Sequence, residues 1–329
     1  MSKEMQKPAS IGAKGNAVEV HPLDPADAPI TAAIHAMSSA GKGSPPGPGA
    51  REQYDGLIGS VMPREDVTFE ADTIGGIPGI WVVPQGGRPD KAILHLHGGW
   101  FNFGTAEAYR NLVGHIAARA GARAFIPNYR LAPEHPFPAA VEDALASYQG
   151  LANSNVHRIA ITGDSAGGNL ALGLASRIAA RNTSIAAALA GVAVMSPVTD
   201  LTLSSETYTT RAEADPFFTR SQVAGLVRSY LGNTDPTDPL ASPLHGRFAG
   251  MPPVRIHVGD DEVLLDDSRR FGERAVGAGV DAKVDVWMGM PHGFVISVGK
   301  LKAASLSLDA IGVFLSERLS ARSTGRVEN

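Results

Sequence analysis

The chain reads as an α/β fold: a mostly parallel central sheet flanked by helices. Two observations predict it. From residue 66 onward, short apolar runs alternate with helical stretches, the pattern of strands buried on both faces and joined by crossover helices. The loops that follow several of these runs carry clustered glycines, and ligands of doubly wound sheets bind beyond the carboxyl ends of the strands.

The elements follow in order. Residues 1–60 read as a small helical arm. In it, 27–40 is a helix with Asp27 as its cap and with Ile30, Ile34 and Met37 at three-to-four spacing. Residues 41–49 (GKGSPPGPG) form a linker, because its prolines and glycines hold neither a helix nor a ladder. A second helix follows at 51–61. The run VTFEADTIGGIPGIWVVP predicts two strands turning at Gly75-Gly76. Further strands are predicted at 92–96, 122–126, 159–162, 192–195, 254–258 and 282–287, and helices at 138–151, 166–180, 267–277 and 301–319. Over about 201–240 the alternation breaks into a polar stretch with one helix at 219–231, too long for a plain connection and read as an inserted element. The expected organisation is an arm at 1–60 and a body at 61–329 that carries this insertion.

Composition narrows the function. Of 329 residues, 43% are apolar and 19% charged, ordinary globular values. Lys plus Arg number 29 against 33 Asp plus Glu, a net charge of −4, so no basic excess points to nucleic acid or an anionic membrane surface. With no cysteine, disulfides, thiolate metal sites and a cysteine nucleophile are excluded. The opening MSKEMQKPAS lacks the apolar core of a signal peptide, and no window approaches the ~18 apolar residues of a membrane span. The expectation is a cytoplasmic protein acting on a small molecule. P-loop, G-x-G-x-x-G and H-E-x-x-H patterns are missing, so no cofactor or metal is expected.

The chemistry concentrates in four segments. Gly163-Asp164-Ser165-Ala166-Gly167 is a G-x-S-x-G between a strand and a helix, the setting in which a sharp turn lifts a serine hydroxyl above the sheet. Such a hydroxyl needs a base, and the base an orienting acid. In this topology they follow in the order serine, acid, histidine. Of ten histidines only His292 comes after the acid candidates, at a strand end and followed by Gly293. Five carboxylates compete for the acid: Asp260, Asp261, Glu262, Asp266 and Asp267, of which Asp266 and Asp267 look like helix caps. His97-Gly98-Gly99-Trp100 follows another strand, and main-chain N–H groups there, with that of Ala166, suit an oxyanion hole.

These residues resemble those of the bacterial hormone-sensitive-lipase-like carboxylesterases, an α/β-hydrolase family. The match spans HGGW, NYRLAPEHPFPAAVEDA (128–144), GDSAGGNLAL, DPLASPL (238–244), GDDEVLLDDSRR and PHGF. The resemblance implies Ser165 as nucleophile and His292 as general base. Aligned without gaps, the acid position falls on Glu262, where most relatives carry Asp; Asp261 is the rival, one residue away. The oxyanion motif is usually HGGG, so Trp100 stands where a glycine is usual: its N–H survives, a positive φ would strain it, and its ring would wall the acyl pocket. Gly98, Gly99, Trp100 and Ala166 are the implied oxyanion donors, and Trp100, Asp164, Phe217 and Phe218 the implied pocket residues. Relatives carry a helical cap made of an N-terminal arm and a later insertion, which 1–60 and 201–240 fit. Arg130, Glu134 and Asp143 read as a structural network. The implied activity is hydrolysis of short-to-medium acyl esters through an acyl-enzyme. Lactone or amide hydrolysis on the same triad is the alternative, and a non-catalytic receptor on this fold the alternative from another class. Relatives dimerise through the sheet edge, which here would involve 282–286 and 301–319.

Overall fold

A computed structural model describes residues 18–43, 49–181 and 189–321, and nine strands in them form one sheet. Strand β1 (Val18–His21) comes first, then helices α1 (Ala28–Ser38) and α2 (Ala50–Gly59). The hairpin of β2 (Val67–Ile74) and β3 (Ile77–Pro84) turns at Gly75 and Gly76, both at positive φ. Next alternate β4 (Arg88–Leu96), α3 (Ala106–Ala120), β5 (Ala122–Pro127), α4 (Ala139–Ala152), β6 (Arg158–Asp164) and α5 (Ser165–Arg181). After β7 (Leu189–Met195), α6 (Thr207–Thr210) and α7 (Arg220–Leu231) both fall inside the polar stretch 201–240. Then follow β8 (Val254–Asp261), α8 (Leu265–Gly277), β9 (Ala282–Pro291) and α9 (Lys302–Ser320). Residues 44–48 of the expected linker lie outside the described residues.

The strand order is β1-β9-β8-β7-β6-β4-β5-β3-β2, and only β3 runs against the others. Side chains alternate between two cores. Along β4, Leu94 and Leu96 enter one and Ile93 the other; along β7, Val192 and Val194 oppose Ala193 and Met195. Helices α4, α5 and α8 cover the first face, α2, α3 and α9 the second. With both faces covered, the central strands read as unbroken apolar runs. No helix among the described residues is long and apolar enough to cross a membrane.

Five expectations are corrected and one helix is added. The arm is not purely helical, since β1 pairs in parallel with β9. His21 anchors it, stacking on Trp287 at 4.1 Å and meeting Asp285 at 2.7 Å, while Lys283 reaches both Glu19 and Asp285. Residues 282–286 are therefore not a sheet edge open to a second copy. Helix α3 is an addition to the sequence reading, although Thr105 caps its start and Gly121, at φ +61°, ends it. Met37 is not on a buried stripe; it is 82% exposed, whereas Ile30 and Ile34 pack against the core. Neither Asp27 nor Asp267 caps its own helix. Buried Asp267 accepts the N–H groups of Thr199 and Asp200 and the Ser205 hydroxyl, and burial pushes its carboxyl up to about 6.

Asp27 instead caps a helix at the far end of the chain. Its carboxylate accepts the N–H groups of Lys302 and Ala303 at 2.8 and 2.9 Å, in the first turn of α9. Those are orphan donors of a helix start, and Asp27 is buried, so water cannot replace it. Asp27→Ala is expected to cost about 1–2 kcal/mol of stability, seen as a lower denaturant midpoint, with little change in turnover.

Candidate active site

Strand β6 and helix α5 meet at Ser165 with almost no connection between them. The turn is tight enough to hold Ser165 at φ +52°, in the left-handed region. The flanking glycines are steric necessities: a Cβ on Gly163 would lie 2.4 Å from the Gly167 carbonyl oxygen, and one on Gly167 would lie 1.9 Å from that of Leu96. Ser165 thus stands at the N-terminus of α5, facing a cavity of about 670 Å³. His292 and Asp164 line the same cavity, with Gly99, Trp100, Phe217 and Phe218.

His292 sits just past β9, held by Glu262 from the loop after β8. Its Nδ1 meets Glu262 Oε2 at 2.7 Å. The other oxygen, Oε1, accepts from the Ser196 hydroxyl at 2.7 Å and from Gly259 N–H at 2.8 Å. Glu262 is completely buried, so these donors replace its water. Burial pushes the His292 imidazole down, but the charge and hydrogen bond of Glu262, with the charges of Asp215 and Asp164, outweigh it; the net shift is upward. Asp261 is not brought to His292. It faces His35 of α1 at 3.5 Å. The imidazole is further packed edge-on by Phe218, centroids 5.1 Å apart, and Phe218 in turn meets Trp100 at 5.5 Å.

The glycine loop after β4 departs from expectation at Gly98. Its N–H donates to Asp164 Oδ1 at 3.0 Å and to the Tyr109 hydroxyl at 3.1 Å, so it is occupied. A Cβ there would lie 2.3 Å from Asp164 Oδ2. The N–H groups of Gly99, Trp100 and Ala166 have no acceptor among the described residues. Trp100 and Phe101 sit at φ +51° and +61°, a strain of about 1–3 kcal/mol each for bulky residues. The turn is held by the N–H groups of Asn102 and Phe103 on the Gly99 carbonyl, and by Asn102 Nδ2 on that of Trp100.

Tyr54, Tyr109, Ser196 and Asp215 belong to the site although no sequence motif marks them. Tyr54 from α2 bonds Tyr109 at 2.7 Å, and the Tyr109 hydroxyl donates to Asp164 at 2.9 Å. Burial pushes the Asp164 carboxyl up to about 6, with those donors and the nearby His292 pulling the other way. His97 is a packed ring, not a reacting one. It stacks on Tyr129 at 4.2 Å, and burial pushes it down to about 4. Arg130 grips Asp143 at 2.7 Å, while Glu134 takes both terminal nitrogens of Arg51 and so ties α2 to the body. Glu19, His21 and Asp285 are the one group among the described residues with ligand atoms close enough for a metal, but Lys283 already bridges both carboxylates.

Comparison with known proteins identifies the family and the fold. A sequence profile of the alpha/beta hydrolase fold matches residues 93–296. An acetyl-hydrolase of Streptomyces hygroscopicus is 35% identical over 246 residues, covering 74% of this chain and 81% of the relative. An esterase of Acinetobacter venetianus is 36% identical over 207 residues, 62% of this chain and 67% of its own. The crystal structure of an esterase from the bacterial hormone-sensitive lipase family superposes with a TM-score of 0.82 at 34% identity, covering 90% of this chain and 99% of that one.

Proposed function

We propose, given that the chain belongs to the bacterial hormone-sensitive-lipase-like family of α/β-hydrolases and is a carboxylic ester hydrolase, that it works through a Ser165–His292–Glu262 triad on esters of short-to-medium acyl chains. The observation that carries the reading is the 2.7 Å bond from His292 Nδ1 to a buried carboxylate, in a cavity that also holds Ser165.

The steps follow from that assignment. With Nδ1 donating to Glu262, Nε2 is the nitrogen that accepts a proton. As it takes the Ser165 proton, Oγ bonds to the ester carbon. Negative charge then develops on the carbonyl oxygen, facing the N–H groups of Gly99, Trp100 and Ala166 and the N-terminus of α5. Glu262 stabilises the imidazolium of this step. Collapse breaks the bond to the alcohol, which leaves with the proton from His292. Water repeats the cycle on the acyl-enzyme and releases the acid and Ser165.

The acyl range is set by aromatic walls. Trp100 and Phe218 stand edge to face beside the serine, and a long chain has to pass them. We assign the cap role to the arm, which lines the cavity through Tyr54 and Leu57, and to the insertion, which lines it through Phe217 and Leu226.

A series of p-nitrophenyl esters from acetate to palmitate is expected to be hydrolysed at the short end and not at the long end. Ser165→Ala, folded as judged by circular dichroism, should remove that turnover; an active mutant rules the triad out. If no ester turns over, lactones and amides are next on the same triad. Glu262→Gln should lower kcat by about a hundredfold or more, while Asp261→Asn stays near wild type, and the reverse ranking moves the acid. The pH profile offers a separate check. Only neutral His292 can accept the proton, and its ionisation lies above the ordinary histidine value of about 6.5. The rate constant kcat/KM should therefore rise with pH through a midpoint above that value. Glu262→Gln, which removes a negative charge, should move the limb to lower pH.

A further inference from the structure

Asp215 lies in the loop between α6 and α7 and is completely buried. Its carboxylate is shared between two parts of the chain. Oδ1 accepts the N–H groups of Phe217 and Phe218, at 2.8 and 2.9 Å. Oδ2 accepts Val263 N–H at 2.8 Å. Val263 directly follows Glu262, and Phe218 is the ring packed edge-on against His292. One side chain therefore sets both the aromatic wall on one side of the imidazole and the loop that bears its carboxylate partner. The N-terminal arm reaches the same turn, where Lys42 Nζ donates to the carbonyl oxygens of Ala212 and Asp215.

All three groups bonded to this carboxylate are main-chain donors. An ionised carboxylate that accepts several N–H groups makes strong, short, charge-assisted bonds, and losing one exposes a buried donor. The spacing explains why aspartate serves. Its short side chain closes the Phe217 and Phe218 contacts as a local turn, and leaves the second oxygen to reach across to the loop after β8.

We propose that Asp215 is a positioning residue for ester hydrolysis: it clamps the insertion to the acid-bearing loop so that Phe218 stays seated on His292 while Glu262 holds Nδ1. The proposal rests on the assignment of His292 and Glu262 made above. It gives the insertion a task beyond covering the cavity, because a shift of the 215–218 turn moves a wall of the imidazole itself.

The test measures kcat and KM for p-nitrophenyl acetate across roughly pH 5–9 for Asp215→Asn, Phe218→Ala and the double variant, with Ser165→Ala and Glu262→Gln as controls. Asp215→Asn keeps the shape but presents an amide N–H₂ to one of the donors. It should lower kcat about ten- to a hundredfold with little change in KM, the scale expected when a reacting group is misplaced. The charged groups acting on His292 are Glu262 after β8, Asp164 at the end of β6 and Asp215 in the insertion, while Lys42 of the arm is bonded to the carbonyls at 212 and 215. Removing one negative charge among them should move the acidic limb of kcat/KM to lower pH. In the Phe218→Ala background the same substitution should cost less than about threefold, since contacting residues do not act additively. A lowered melting temperature with wild-type kcat and an unmoved limb would overturn the proposal, as that is the outcome for a purely structural residue. If Asp215→Asn does not fold, Phe218→Ala alone decides: an unchanged kcat on acetate overturns it. Activity in Ser165→Ala, or near-wild-type kcat in Glu262→Gln, would instead remove the triad on which it stands.

Discussion

The Glu262 carboxylate is where the carboxyl ends of three neighbouring strands are brought to one point. A carboxylate stripped of water must be met by donors, and an unmet one costs several kcal/mol. Ser196 comes from the end of β7, Gly259 from the end of β8, and His292 from just past β9. Each is fixed by backbone geometry as much as by its side chain. Ser196 sits at φ +46°, and a Cβ on Gly259 would lie 1.9 Å from the Met290 carbonyl oxygen. The parallel sheet sets the spacing of these ends, and Glu262 turns the spacing into an oriented imidazole.

A second layer of contacts carries the same logic outward. Asp164 joins the serine turn to the glycine loop through the Gly98 N–H, and Tyr109 and Tyr54 extend that bond to the arm. Arg51 joins the arm to the Asn102 and Ala132 carbonyls and to Glu134. Asn102 in turn receives the Ser229 hydroxyl from α7. The strained Trp100 turn is thus gripped by three elements that do not belong to the sheet, which is how a backbone at unfavourable φ persists.

How much of this was legible in the sequence depended on how local each signal is. The serine turn, the glycine loop and His292 each lie within a few residues of a strand end, so spacing and topology locate them. The sheet itself follows from apolar runs that need no partner to be recognised. By contrast, β1 is four residues long and is a strand only because β9 lies beside it. Asp27 looks like the cap of the helix it precedes, yet α9 supplies donors that compete for it. Asp267 likewise looks like a cap until Thr199 and Asp200 are folded against it. The Gly98 N–H and Asp215 belong to the same class: which donor meets which carboxylate is decided by contacts far apart in sequence, and no local pattern encodes them.

Burial holds two carboxyls near 6, those of Asp164 and Asp267, and so ties part of the protein's stability to pH. A carboxyl whose ionisation is raised in the folded state contributes stability that is complete below its unfolded value of 3.8. That contribution is lost as pH climbs through about 6. Raised His292 works in the same direction. Asp200, lowered to about 2 by its hydroxyl and N–H donors against the opposing effect of burial, works in reverse and gives way only in strong acid. Buried His95, His97 and His257, held down to between about 3 and 4, pull against the raised groups, because their contribution is lost as pH falls below the ordinary histidine value of 6.5. Above about pH 6 the interior carries two buried charges, on Asp164 and Asp267, that burial alone would keep neutral.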